Sequence, residues 1–169
     1  WNLSPASDNE SDSDNVTDIA DFTKIYDNQS IAYTLDASSA DGIKTIQVTF
    51  QDGVGGTATA TDNITLDRQR PIGSVRVAQD SGAVKATDNV TLVISGTDEL
   101  SGVAGWSVQT LVGDAVPVQP TSADNFTAFL SPGNSVSENH SLSFSQLIGD
   151  NQTDNLTIYG WFLDRAGNI

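Results

Sequence analysis

The apolar residues of this chain recur at every second position. In the stretch from Lys44 to Asp52, Ile46, Val48 and Phe50 alternate with Thr45, Gln47 and Thr49. Such alternation describes a strand with one buried and one wetted face. The same period predicts strands over Ile31–Leu35, Thr57–Leu66, Gly73–Val77, Val90–Ser95, Trp106–Val112, Phe126–Leu130, Leu142–Phe144 and Leu156–Leu163. Clusters of Gly, Asp, Asn, Ser and Pro separate them, and these are turn formers. No stretch holds the period of about 3.6 that an amphipathic helix needs. The chain therefore reads as all-β, of sandwich type with many short strands.

Parts of this pattern repeat. Asp41–Asp52 with the glycines after it aligns with the segment from Asp154 to Asn168, and Trp1-Asn-Leu-Ser aligns with Trp106-Ser-Val-Gln. The first copy continues through Thr61–Pro71, a terminal strand and linker. Two domains follow, 1–70 and 71–169, the first lacking opening strands and the second lacking its closing one. A sandwich short of a strand exposes a sheet edge, which invites pairing. The gap is filled either by adjacent repeats of a longer polypeptide, of which this chain is a slice, or by strand addition from a neighbouring copy.

These residues resemble the immunoglobulin-like repeats of large prokaryotic surface proteins. The resemblance rests on Asp98-Glu-Leu-Ser-Gly-Val103, Trp106, Gly42-Ile-Lys-Thr-Ile46, Asp164-Arg-Ala-Gly-Asn168, Ile64-Thr-Leu-Asp67 and Pro71, in a series that covers nearly the whole chain. Two features depart from it. Asp52-Gly-Val-Gly-Gly56 has no corner Asn, and Asp8–Asp21 is an acidic insert. The resemblance implies tandem immunoglobulin-like β-sandwiches on the cell surface. It implies a module and no activity.

Charge narrows the partners. Against 22 acids stand 7 bases, for a formal net charge of −15 over 169 residues. Nucleic acid requires the opposite field, and an acidic membrane surface would repel the chain. No apolar run reaches the length of a membrane span. With no Cys there are no disulfides and no thiolate chemistry. Neither a signal peptide nor an initiating Met is present.

Ten of the twelve asparagines begin an Asn-x-Ser/Thr triplet: Asn2, Asn9, Asn15, Asn28, Asn63, Asn89, Asn125, Asn139, Asn151 and Asn155. Nine of them directly follow an acid. In a chain that passes through a secretory or surface pathway, such triplets are N-glycan acceptors. The competing explanation is that Asp-Asn-x-Thr suits the start of a strand. It accounts for the related segments at Asn63, Asn89 and Asn155 and leaves the scattered ones.

Candidate cation ligands are Asp8, Glu10, Asp12 and Asp14 in the acidic insert, Asp98 and Glu99 in one loop, Asp164 in another, and Asp67 in the linker. Calcium takes six to eight oxygens, and a cation at the joint of tandem modules would relieve carboxylate repulsion. The insert fails the EF-hand pattern, since Ser13 stands where Gly is required and Ile19 where the bidentate Glu belongs. Plain turn chemistry explains the loop acids equally well. No cofactor is required for the fold, and calcium is the one candidate ion.

No catalytic residue is assigned. His140 is the single imidazole, expected at the surface, and no Gly-x-Ser-x-Gly elbow accompanies it. Trp106 and Trp161 lie in alternating strands, where core packing is the default and a sugar-stacking role the alternative. The expected function is a structural, glycosylated module of an extracellular assembly such as a surface layer, stalk or filament. Its partners are copies of itself or adjacent repeats. The alternative is an adhesin module whose calcium-ordered loops bind a glycan or a protein.

Overall fold

A computed structural model describes residues 34–78, 89–143 and 156–169. The chain divides between Asp67 and Arg68 into two compact units. In the first, β1 (Gly42–Gln51) and β2 (Thr57–Leu66) form an antiparallel hairpin in register from Gly42 opposite Leu66 to Gln51 opposite Thr57. Asp52 closes it. Its backbone N–H donates to the Gly56 carbonyl at 2.9 Å, and its Oδ1 accepts from the N–H groups of Val54 and Gly56 at 3.0 and 2.7 Å.

Among its described residues the second unit has six strands: β3 (Ile72–Val77), β4 (Asn89–Thr97), β5 (Val103–Val112), β6 (Thr127–Gly133), β7 (Ser135–Ser143) and β8 (Leu156–Asp164). They make two antiparallel three-stranded sheets, ordered β3-β4-β7 and β6-β5-β8. The architecture is all-β and antiparallel, as the period-two pattern predicts, with a 3-10 turn at Ala123–Asn125 before β6. Among the described residues no helix is long and apolar enough to cross a membrane.

The core draws on both sheets. Val90, Leu92 and Ile94 alternate inward from β4 and meet Val103, Trp106, Phe129, Val136 and Phe162. Val103 and Trp106 are three apart, so strict alternation would send them to opposite faces. A bulge between Val103 and Gly105 re-phases β5 and turns both inward. The strand begins at Val103, three residues before the expected Trp106. Glycine opens the inter-sheet space. A Cβ at Gly73 would stand 1.9 Å from the Phe162 ring, and one at Gly160 would stand 2.5 Å from Val75 Cγ2. The Phe162 ring thus fills the volume that a β3 side chain would need.

Three expectations change. Of Ile31–Leu35, residues 31–33 lie outside the described residues, and Thr34 and Leu35 are not in a strand. The strand expected over Leu142–Phe144 begins seven residues earlier, at Ser135. Its polar sequence hides it, because two of its inward positions are Glu138 and His140. They face Trp106, whose indole Nε1 donates to Glu138 Oε1 at 2.5 Å, while the His140 ring sits 4.7 Å from the indole at a tilt of 59°. Glu138 Oε2 also accepts from the Leu130 N–H at 3.3 Å. One carboxylate on β7 thereby ties β5 and β6 to the opposite sheet, and His140 is half-buried against an aromatic ring.

Candidate metal centre

Turns built on aspartate bring the acids together. After β8, Asp164 donates its backbone N–H to the Asn168 carbonyl at 3.1 Å. Its Oδ1 accepts the Asn168 N–H at 2.8 Å and its Oδ2 the Asn168 side-chain amide at 2.7 Å. Gly167 allows the closure with φ +96°, in the left-handed region that glycine adopts without a Cβ penalty. The hairpin turn at Asp52–Gly56 has the same plan, with Gly55 at φ +90° in the matching place.

A third aspartate does the same between β4 and β5. Asp98 Oδ1 accepts from Leu100 N–H at 3.2 Å and from Gly102 N–H at 2.7 Å. Backbone bonds from Asp98 N–H to the Asn134 carbonyl and from Arg165 N–H to the Gly102 carbonyl tie this loop to its neighbours. Turn chemistry is therefore present at every one of these positions. Unlike Asp52, however, Asp98 and Asp164 are buried.

Asp98 and Asp164 are 6% and 2% exposed. Each offers a carboxylate oxygen, and the two oxygens lie within 4.8 Å of one another. Two oxygens bound to one calcium at about 2.4 Å can be no more than about 4.8 Å apart, so the spacing accommodates a single shared ion of that size. Like charges this close repel by roughly 3 kcal/mol at an effective dielectric of about 20. Buried charges are as a rule paired or bound to metal. Two carboxylates would give two or more of the six to eight oxygens that calcium takes, leaving the rest to carbonyls and water. Asp67, directly after β2 in the first unit, is 7% exposed.

Of the eight candidate ligands, the structure gathers Asp98 and Asp164 in the second unit and buries Asp67 at the end of the first. Glu99 is exposed and stands outside the group, contributing its backbone carbonyl to the Asn134 side-chain amide at 3.2 Å. Asp8, Glu10, Asp12 and Asp14 lie outside the described residues, as do the acceptor asparagines Asn2, Asn9, Asn15, Asn28, Asn151 and Asn155. The four described acceptors, Asn63, Asn89, Asn125 and Asn139, are all exposed. Trp106 is in the core as expected, whereas Trp161 is not. It is half-buried on the face of β8 opposite Phe162.

No family model, no curated protein and no solved structure matches this chain.

Proposed function

We propose that the chain is a structural, N-glycosylated module of a prokaryotic extracellular assembly, a surface layer, stalk or filament, built from immunoglobulin-like β-sandwich repeats. The observation that carries this reading is the placement of the acceptor triplets. Every described one has its Asn exposed, on a strand or in a turn, where a glycan can be attached without disturbing the core. Glycans and a net charge of −15 would together hold a hydrated coat around strand ladders that bear load. Among the described residues β8 pairs on one side, with β5, so its other edge can accept a strand from an adjacent repeat or a second copy. Mass spectrometry of native material tests the reading. The intact mass should exceed 17.8 kDa in sugar-sized steps, with glycopeptides that include Asn63, Asn89, Asn125 and Asn139. Unmodified peptides at all ten triplets would remove it.

The buried acidic group favours a second reading, a calcium-dependent adhesin module. Calcium held by Asp98 and Asp164 would fix the loops that carry them, and those loops would then present a rigid surface to a glycan or protein. A glycan array run with and without chelator separates the readings. Ligand-selective binding that disappears with the calcium supports the adhesin, and binding that ignores the chelator counts against it.

A further inference from the structure

Alternation along β8 does more than fill the core. With Phe162 turned inward, Tyr159 and Trp161 fall on the other face of the β6-β5-β8 sheet, their rings stacked at 6.4 Å and 30°. On the adjoining strand, Ser107 lies opposite Trp161 and Gln109 opposite Tyr159. The chain leaving β5 then folds back beside this face. Gln109 Oε1 accepts the Val118 N–H at 3.0 Å and so fastens the segment that follows. A cleft of about 450 Å³ results, with Trp161, Ser107 and Gln109 from the sheet and Gln119, Thr121 and Asn125 from the returning segment.

The lining selects a ligand by its chemistry. Among the described residues no ionisable side chain lines the cleft, in a chain otherwise crowded with acids. An anionic ligand would therefore meet no counter-charge there and a repulsive field around it, and a cationic one would find no carboxylate to pair with. Three primary amides and two hydroxyls offer both donors and acceptors, more than a wholly apolar ligand could satisfy. An extended peptide adding to the sheet would need an unpaired strand edge, which among the described strands belongs to the outer sides of β6 and β8, whereas the cleft lies on the face of the sheet, where β5 is paired on both sides. What remains is a neutral molecule with one apolar face and a rim of hydroxyls. An indole attracts C–H groups to its electron-rich face, and the amides can grip adjacent hydroxyls as donor and acceptor at once. The volume falls in the ordinary range of small-molecule sites.

We infer that this cleft binds a neutral pyranose sugar, its C–H face against Trp161 and its hydroxyls on Gln109, Gln119 and Thr121. Asn125 makes the source of that sugar a sharp question. It lines the cleft, it is exposed, and it begins the triplet Asn125-Phe-Thr. The sugar is either one carried by Asn125 itself or one presented by another molecule. Only the first source rests on the proposed glycosylation, and the binding chemistry does not.

The test uses the 169-residue chain with nitrogen-15 in its indole groups, produced in a host without N-glycosylation. Glucose, galactose, mannose, N-acetylglucosamine and their disaccharides are titrated while the indole resonances are followed. The Trp161 signal should shift and saturate for at least one sugar, with a dissociation constant on the order of 1 mM, while that of core Trp106 stays in place. Trp161→Ala, which removes that reporter and is therefore followed through the sugar's own resonances, should weaken binding by about tenfold or more. Gln119→Ala, on an exposed irregular segment, should weaken it several-fold with the Trp106 resonance unchanged. No saturable shift with any sugar overturns the inference, as does sugar binding left unweakened by Trp161→Ala. On native glycoprotein, free-sugar binding that appears only in Asn125→Gln identifies the chain's own glycan as occupant. Equal binding before and after that substitution identifies a glycan from outside. Finding every triplet unmodified would end the glycoprotein reading and leave the titration of the bare chain untouched.

Discussion

Trp106→Ala should destabilise the second unit by about 3–5 kcal/mol, the range for removing a large aromatic from a packed core. Trp106 is 4% exposed among Leu92, Ile94, Phe129 and Phe162. Two polar consequences add to the lost packing. Glu138 would keep its half-buried carboxylate but lose the indole N–H, and His140 would lose the ring it rests on. Trp106→Phe separates these effects, since it preserves most of the ring and deletes the donor. Its expected cost is about 1.5–3 kcal/mol, the worth of a hydrogen bond to a charged group. Glu138→Gln should cost less, because the amide oxygen still accepts. Denaturant unfolding of the single and paired Trp106→Phe and Glu138→Leu variants gives the coupling directly. Strict additivity of the two would show that the indole–carboxylate bond contributes nothing to stability.

The second large effect concerns calcium. An ion that binds the folded chain stabilises by mass action, about 2.7 kcal/mol at a hundred times its dissociation constant. For a unit of this size that raises Tm by on the order of 10 °C or more. EDTA should reverse the shift, and magnesium should give less of it, because it dehydrates reluctantly and prefers a tighter octahedron. Asp98→Asn is the discriminating variant. Its Oδ1 can still cap the turn at Leu100 and Gly102, yet it removes one of the two charges. It should melt no lower than the parent in EDTA, since the repulsion is relieved, and it should lose most of the calcium response. A melt that ignores calcium, EDTA and this substitution alike would reduce the two acids to turn formers.

Strand positions were largely readable because each strand of the second unit except β7 carries its own apolar alternation. β7 escaped because Ser135-Val-Ser-Glu-Asn-His-Ser141 has one aliphatic residue, its other inward places being satisfied by an indole on a distant strand. Which way Trp161 faces was not readable at all. Leu156, Ile158 and Phe162 form one apolar series on β8, while Tyr159, Trp161 and Leu163 form another, so both phases qualify as the core face. The packing decides it, since Phe162 fills the space left by Gly73. The acids were individually legible as turn formers. That Asp98 would meet Asp164 depended on chain folding between residues far apart in sequence, and Glu99, the neighbour of Asp98, is exposed and stands outside the pair.

The inward pair on β7 has a consequence for what sits between them. Glu138 and His140 point to the core, so Asn139 is held outward by its two neighbours. A strand that slips by one residue exchanges its faces. Here a slip would push Asn139, with whatever bulky hydrophilic group it carries, beneath the opposite sheet, and would expel Glu138 from its bond to Trp106. A sugar on Asn139 would make the misaligned pairing of β7 with β4 sterically inaccessible. Modification at that position would then act as a proofreader of strand alignment while the chain folds, before it serves as any part of a coat.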